Sequence, residues 1–416
     1  MDALRRPAAG VAVDQAIFSA TSLLMNVQVA KAVTTSEFGR FSTGTLAFIL
    51  ALGIGRALVG QVLVITCSGE DRAFIRAAAG GQLPRVSAIA VVLVTGVLAV
   101  LLTVGGNSVE MAAVCALSVA PMLFQDFFRM VALAAGAIRA LIALDAVWLV
   151  MQTVLLSLLD LFGMINAANA WAAIGISVLI AALLGFLMLR PTRTGLRVHR
   201  LSGGLGLTLA SDYAASSGLS VGLSFLVPLL SGPSALAAVR SAQTAAAPAQ
   251  VLQMAVESAV LPSAAKAARS SHRDAVRVAV LGSLFGSLVV LLYFSVSFLI
   301  PSRYWSVLLG DSWQVGRGLL PPTALRALFA FIAIGPVIAL RSTGGAGRAL
   351  RARLVTTPVL LAGAVIGVSL YGAFGFAVGI AGAQIAAAMV WWLMLVKSTR
   401  ERPAPHRRTT ATRPRR

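Results

Sequence analysis

Runs of about 20 apolar residues, long enough to cross a ~30 Å hydrocarbon core as a helix, recur along this chain between short polar breaks rich in arginine. The pattern predicts spans near 11–33, 41–67, 86–105, 109–136, 142–164, 168–190, 206–230, 234–262, 278–300, 318–341, 354–371 and 374–396. The division is weakest around 130–145, where Arg129, Arg139 and Asp145 interrupt the apolar run. The first run follows Arg5 and Arg6 and ends in Ala30-Lys31-Ala32, which imitates a signal peptide. Asp14, Gln15, Asn26 and Gln28 interrupt its core, so it reads as a retained first helix.

The polar positions inside these runs repeat. Asp14, Gln15, Ser19, Ser22 and Asn26 recur 198 residues later as Asp212, Tyr213, Ser217, Ser220 and Ser224. At 100° per residue the last four of each set form one polar stripe. The match predicts a parallel duplication into an N-terminal lobe, 1–200, and a C-terminal lobe, 201–396, of six helices each. The fold class is therefore all-α and polytopic, with about twelve spans and a basic tail over 397–416. In the eighth span Arg240, Gln243, Gln250 and Glu257 share a face within about 100° of arc. Helix–helix hydrogen bonding and a cavity lining explain the two glutamines equally well; the charged ends of the stripe favour a wet lumen.

Composition sets the environment. The chain is 58% hydrophobic and 12% charged, with mean hydropathy +0.89, whereas a soluble surface needs roughly 25% charged residues. A net charge of +20 suggests nucleic acid in a soluble protein, but the positions decide otherwise. Counting from the N-terminus, 26 of the 34 Lys and Arg residues fall in alternate breaks and the tail; Arg40, Arg303 and Arg317 fall in the other breaks. This asymmetry predicts cytoplasmic termini and an even number of spans in the inner or plasma membrane. It accounts for the charge without nucleic acid. The outer loop near 301–317 carries Tyr304, Trp305 and Trp313, which suit an interfacial position, and the tail suits disorder near anionic headgroups. Two cysteines 48 residues apart and three histidines in Arg-rich segments give no disulfide framework or metal site, and Gly344-Gly345-Ala346-Gly347-Arg348 reads as a turn, not a phosphate loop.

Arg56, Arg129, Arg240 and Arg326 lie inside apolar runs. Each costs about 2.5–3.5 kcal/mol at mid-membrane, so four facing lipid would cost roughly 10–14 kcal/mol. They must face protein or water. A guanidinium keeps its proton and its planar fork fits phosphate oxygens, which points to an anionic cargo. For Arg129 the spacing favours pairing instead, because Asp126 lies three residues before it and Asp145 starts the next span. Arg56 has no acid near it in sequence, only Gly53, Gly55 and Gly60, and is the first choice for cargo contact. Arg326 suits cargo and outer headgroups equally. Asp14, Asp145, Asp212 and Glu257 fall toward the cytoplasmic ends of their spans and are candidates for proton or sodium coupling or for pairing with arginines at an inner gate; for Asp14 and Asp145 complementing a helix dipole is the favoured reading.

Several local patterns then carry a resemblance: Asp14-Gln15, Glu37-Phe38-Gly39-Arg40-Phe41-Ser42, Leu309-Gly310-Asp311-Ser312-Trp313, Leu340-Arg341-Ser342 with Gly344, and Gly372-Ala373-Phe374-Gly375. With these the chain resembles the polysaccharide and oligosaccharide-lipid flippases of the multidrug/oligosaccharidyl-lipid/polysaccharide exporter superfamily over nearly its whole length. The resemblance implies two lobes rocking around a central cavity and, as cargo, an oligosaccharide on a polyprenyl pyrophosphate. It maps the anion-binding role onto Arg56 and Arg240; Arg326, Arg129, Gln243 and Gln250 are the further substrate-binding candidates from the residue pattern. It implies no enzyme activity and no cofactor beyond a coupling ion. The expected partners are membrane lipids and the lipid-linked saccharide, with the chain a monomer and a polysaccharide polymerase or glycosyltransferases as associates. The rivals are a multidrug/ion antiporter, whose cationic cargo calls for an acidic lumen, and a lipid II flippase, a family of longer chains. A membrane-embedded glycosyltransferase or polymerase is disfavoured by the absence of a large outer loop.

Overall fold

The computed structural model describes residues 2–104, 106–192, 203–268, 271–342 and 346–400. The expected basic tail falls outside these residues from 401 onward, as do the basic stretch 193–202 and positions 343–345 of the glycine-rich turn.

Helix starts follow side-chain chemistry. Thr34 accepts from the Glu37 amide, Asp71 from Phe74, Ser108 from Met111 and Asn166 from Asn169, each satisfying a donor the helix leaves open. The first helices are α1 (Asp2–Ala32) and α2 (Thr35–Gly55), which runs through a π turn (Arg56–Gly60) into α3 (Gln61–Cys67). Then come α4 (Arg72–Thr103), α5 (Val109–Ala134), α6 (Ile138–Leu161) and α7 (Ala167–Leu189). A broken rod follows: α8 (Gly203–Tyr213), a second π turn (Ala214–Gly218), α9 (Leu219–Ser224) and α10 (Leu226–Ser231). Next are α11 (Pro233–Ala245), α12 (Ala247–Ala268), α13 (His272–Leu299), and the short α14 (Ser302–Leu309) and α15 (Ser312–Gly316). The last are α16 (Leu320–Ser342) and α17 (Ala346–Arg400).

Among the described residues eight stretches are long and apolar enough to cross a membrane, and the last of them, Arg351–Ser398, reverses at Tyr371 and Gly372. With α1, the rod α8–α10 and the pair α11–α12, the described residues supply the twelve rods that the hydropathy pattern predicts. The chain is a polytopic, all-helical membrane protein. Apolar side chains stay exposed along α4 (Val91, Val92) and α13 (Leu284, Phe285, Leu288), as lipid contact requires.

Three expectations change. The fourth helix starts at Arg72, so Arg72 and Arg76 are helical rather than loop residues. The eighth span is two helices, interrupted at Ala246 just before Pro248, which lacks an amide donor; Arg240 and Gln243 sit on α11 and Gln250 and Glu257 on α12, so the stripe does not run along one helix. The repeat partners also differ locally, since α1 is continuous where its counterpart breaks at Ala214–Gly218.

Contacts group the chain into two units. The first comprises Met1–Ala247, Leu299–Pro321 and Ala364–Ala377, the second Pro248–Phe298, Pro322–Gly363 and Val378–Arg416. In the first unit α5 packs against α4 and α7, and α11 lies against α2. Gly39 makes the latter possible, because a side chain there would strike the Pro233 backbone. In the second unit Ser283 Oγ donates to the carbonyl of Phe331 (2.5 Å), and Trp392 Nε1 to that of Ile332 (3.1 Å).

The reversal in α17 is set by Tyr371 and Gly372, the latter at φ 56°, ψ −134°, a region open to glycine. Beyond it the arms touch backbone to backbone, with Gly367 against Gly375. Gly367→Leu should destabilise the protein by about 1–3 kcal/mol, the range for overpacking a tight contact. A lowered unfolding midpoint in detergent, with Gly382→Leu (open space at its Cβ position) as control, checks this.

Candidate functional site

The interior of the N-terminal helices holds a charged cluster centred on α5. Arg129 is 4% exposed and reaches three acids. Its Nη2 donates to Asp14 Oδ2 on α1 (2.8 Å), its Nε lies 2.9 Å from Asp145 Oδ1 on α6, and its Nη1 is 3.5 Å from Asp126 Oδ1 on its own helix. Gln125 Nε2 donates to Asp145 Oδ1 (2.9 Å), and the Phe18 ring faces the guanidinium at 4.5 Å. Asp14, Asp126 and Asp145 are 4%, 2% and 0% exposed.

Arg56 extends this cluster toward an exposed surface. It opens the first π turn, a distortion that recurs at functional sites. Gly55 and Gly60 flank it and leave room for Leu123 and Met130 of α5, which brings the guanidinium over Asp126. Its Nε donates to Asp126 Oδ2 (3.0 Å) and Oδ1 (3.2 Å). The Arg56 side chain keeps 30% exposure and, with Asp126, lines a small pocket walled by Val59, Val86, Ile89, Leu123 and Phe127. Alongside, Tyr213 of α8 donates to the Ile49 carbonyl (3.1 Å) and fills the space that Gly53 leaves open.

Arg240 stands in different surroundings. On α11 its Nη1 donates to Gln243 Oε1 (3.2 Å) and its Nη2 lies 3.5 Å from Asn26 Oδ1 on α1. Its Nε is buried without an acceptor, yet the residue as a whole is partly exposed. Among the described residues no carboxylate forms an ion pair with it. The site is thus a cation on α11 flanked by neutral amides. It can receive an anion.

The expected residues divide accordingly. Arg129 is enclosed by acids, as its spacing favours. Arg56 does have an acid, Asp126, which sequence proximity could not reveal across 70 residues. The helix-dipole reading of Asp14 and Asp145 is corrected: α1 and α6 begin at Asp2 and Ile138, which leaves both acids well inside their helices and bound to Arg129. Asp212 is exposed on α8. Glu257 accepts from Gln253 (3.2 Å) on α12. Gln250 is exposed on α12 and Arg326 partly exposed on α16, with no carboxylate pairing with Arg326 among the described residues. Sequence reading missed Asn26 as a neighbour of Arg240 and Tyr213 as a neighbour of Arg56; their shared place in the repeated polar stripe was the available signal. Among the described residues no group of His, Cys, Asp and Glu is arranged to hold a metal.

No protein-family model matches the sequence, and no curated protein is recognisably similar to it. Solved structures resemble it in fold. An inward-facing multidrug resistance transporter of the MATE family, in the MOP superfamily, superposes with a TM-score of 0.68 at 14% identity, over 93% of this chain and 97% of that one. The lipid II flippase MurJ in an inward closed conformation gives 0.70 at 12% identity, over 94% and 87%. A MOP superfamily transporter from Pyrococcus furiosus, described as having a binding pocket of reverse polarity, gives 0.60 at 15% identity, over 95% of each chain. These are transporters and a flippase rather than enzymes, and at such identities the likeness establishes the fold that the chain shares with them.

Proposed function

We propose that this protein is a membrane flippase that moves an anionic, lipid-linked saccharide, an oligosaccharide on polyprenyl pyrophosphate, in cell-surface polysaccharide synthesis. The observation that carries the reading is Arg240: a guanidinium on α11, partly exposed, with an unsatisfied Nε and amides rather than acids beside it. A pyrophosphate supplies what that group lacks, since its oxygens accept charge-assisted hydrogen bonds from a planar fork. The fold shared with transporters and a flippase supports movement rather than chemistry. Arg326 and Gln243 serve as secondary contacts, Arg56 acts when it leaves Asp126, and Gln250 with Glu257 lines the path on α12. The proposal includes two six-helix lobes, 1–200 and 201–396, around a central cavity, both termini in the cytoplasm, and monomeric action beside polysaccharide-assembling enzymes.

A cationic-drug extruder needs carboxylates free to meet its cargo. Asp14, Asp126 and Asp145 are all turned onto arginines, which disfavours that reading. A lipid II flippase handles the same headgroup chemistry, and the assay separates the two by saccharide. Purified protein in proteoliposomes should translocate a fluorescent polyprenyl-pyrophosphate oligosaccharide faster than empty vesicles do. Translocation no faster than in empty vesicles, together with efflux of a lipophilic cationic dye, would overturn the proposal.

A further inference from the structure

The short helix α14 carries its polarity inside out. At 100° per residue its positions divide into two faces. Arg303, Tyr304, Val307 and Leu308 fall within about 140° of arc, and Ser302, Trp305, Ser306 and Leu309 within about 100° on the opposite side. The first set is exposed throughout, Val307 to 66%. The second set carries the hydroxyls and turns them onto the protein. Ser302 Oγ accepts from Trp313 Nε1 (2.9 Å) and Ser306 Oγ from Gln314 Nε2 (3.1 Å). Leu309 is buried, and Trp305 stacks on the buried Trp313 ring. Just beyond, a side chain at Gly310 would strike the Ala30 carbonyl of α1. The helix is thus held in one orientation, with its apolar side outward.

Water disfavours that arrangement; lipid does not. Leu299 closes the apolar helix α13, and Pro301-Ser302-Arg303 follow after one further residue. The apolar run stops where α14 begins, which sets α14 at the boundary between hydrocarbon and headgroups. Arg303 occupies the edge of the exposed face. Its guanidinium lies over the Tyr304 ring at 4.9 Å, and its Nη2 donates to the Tyr304 hydroxyl (3.1 Å). Among the described residues no carboxylate forms an ion pair with it, the exposed Asp311 of the same segment included. Its remaining donors suit phosphate oxygens. Lys31, exposed beside Gly310, adds a second cation at the other end of α14.

We infer that α14 is a lipid-docking helix: Tyr304, Val307 and Leu308 insert among lipids at the membrane boundary, and Arg303 binds the phosphate of an anionic phospholipid. A tyrosine suits that depth, with its ring in the apolar layer and its hydroxyl toward the headgroups. The exposed face is one side of an eight-residue helix, too small for a stable protein partner, which needs about 800 Å² per side. The surface is independent of the cargo.

Val307→Cys in the full-length protein offers an exposed attachment point for a fluorophore, whereas Cys67 and Cys115 are buried. In proteoliposomes of phosphatidylglycerol and phosphatidylcholine the label should be shielded from aqueous iodide and quenched by lipids that carry a nitroxide on the chain. Nitroxide-labelled phosphatidylglycerol should be enriched there about fivefold over labelled phosphatidylcholine, the effect of one basic residue at a lipid surface. Arg303→Gln should remove most of that preference and leave the shielding intact. A label on exposed Glu70, as Glu70→Cys, should keep its own lipid preference when Arg303 is replaced. Free access of iodide to the Val307 position overturns the inference, and so does shielding without quenching by lipid, which would mean that protein covers the face. Equal quenching by the two lipids in the wild type, or an unchanged preference in Arg303→Gln, overturns the role of Arg303.

Discussion

Replacing Arg129 with alanine is expected to be the most damaging single change in the protein, at about 3–5 kcal/mol, the range for removing one partner of a buried ion pair. The loss exceeds an ordinary pair because this guanidinium faces Asp14, Asp145 and Asp126 at once, and its removal leaves carboxylates on three helical positions without their common cation. The acids would then take up protons or open the packing of α1, α5 and α6. Arg56→Ala should cost less, because that side chain is 30% exposed and the Asp126 it leaves behind still has the Arg129 guanidinium at 3.5 Å. The measurement is the thermal unfolding midpoint, with the monodisperse yield from detergent, for both variants. Arg129→Met combined with Asp14→Asn and Asp145→Asn should recover much of the loss, since neutralising both sides removes the stranded charge. Equal midpoints for Arg129→Ala and Arg56→Ala would contradict this account of the cluster.

The second large effect falls on function. Arg240→Gln should slow translocation of a pyrophosphate-linked saccharide by roughly 10–100-fold, which corresponds to one hydrogen bond to a charged group at about 1.5–3 kcal/mol. Folding should be nearly untouched, because the guanidinium makes no described ion pair and its neighbours Gln243 and Asn26 are neutral amides. Arg240→Lys should recover only part of the rate, keeping the charge but not the fork. Initial rates in proteoliposomes, normalised to reconstituted protein, check the order wild type, lysine, glutamine.

Much of the fold is legible in the sequence because a bilayer imposes one simple rule: each crossing needs a long apolar helix. The twelve runs register that rule directly. The breaks inside them do not. Ala246 and Pro248 interrupt the eighth span within an apolar stretch, so the stripe from Arg240 to Glu257 looks continuous in sequence and belongs to two helices in the structure. The π turn at Arg56 leaves hydropathy unchanged and yet turns this side chain toward α5.

The charged site is readable only where partners are near in sequence. Asp126 lies three residues from Arg129 and Asp145 sixteen, and both meet it as their positions suggest. Asp14 reaches the same guanidinium from 115 residues away, and Arg56 reaches Asp126 from 70. Nothing in local spacing encodes those contacts. They follow from which helices pack together. The same packing gives Arg240 its significance, because sequence places four arginines in the membrane and the structure surrounds two of them with acids.

The most direct test is the affinity of the purified protein for a short-chain pyrophosphate-linked saccharide, measured by calorimetry in wild type and in Arg240→Gln of matched thermal stability. The account predicts binding by the wild type and an affinity at least about tenfold weaker in the variant. Equal affinities would contradict it, and would show that Arg240 does not hold the phosphate.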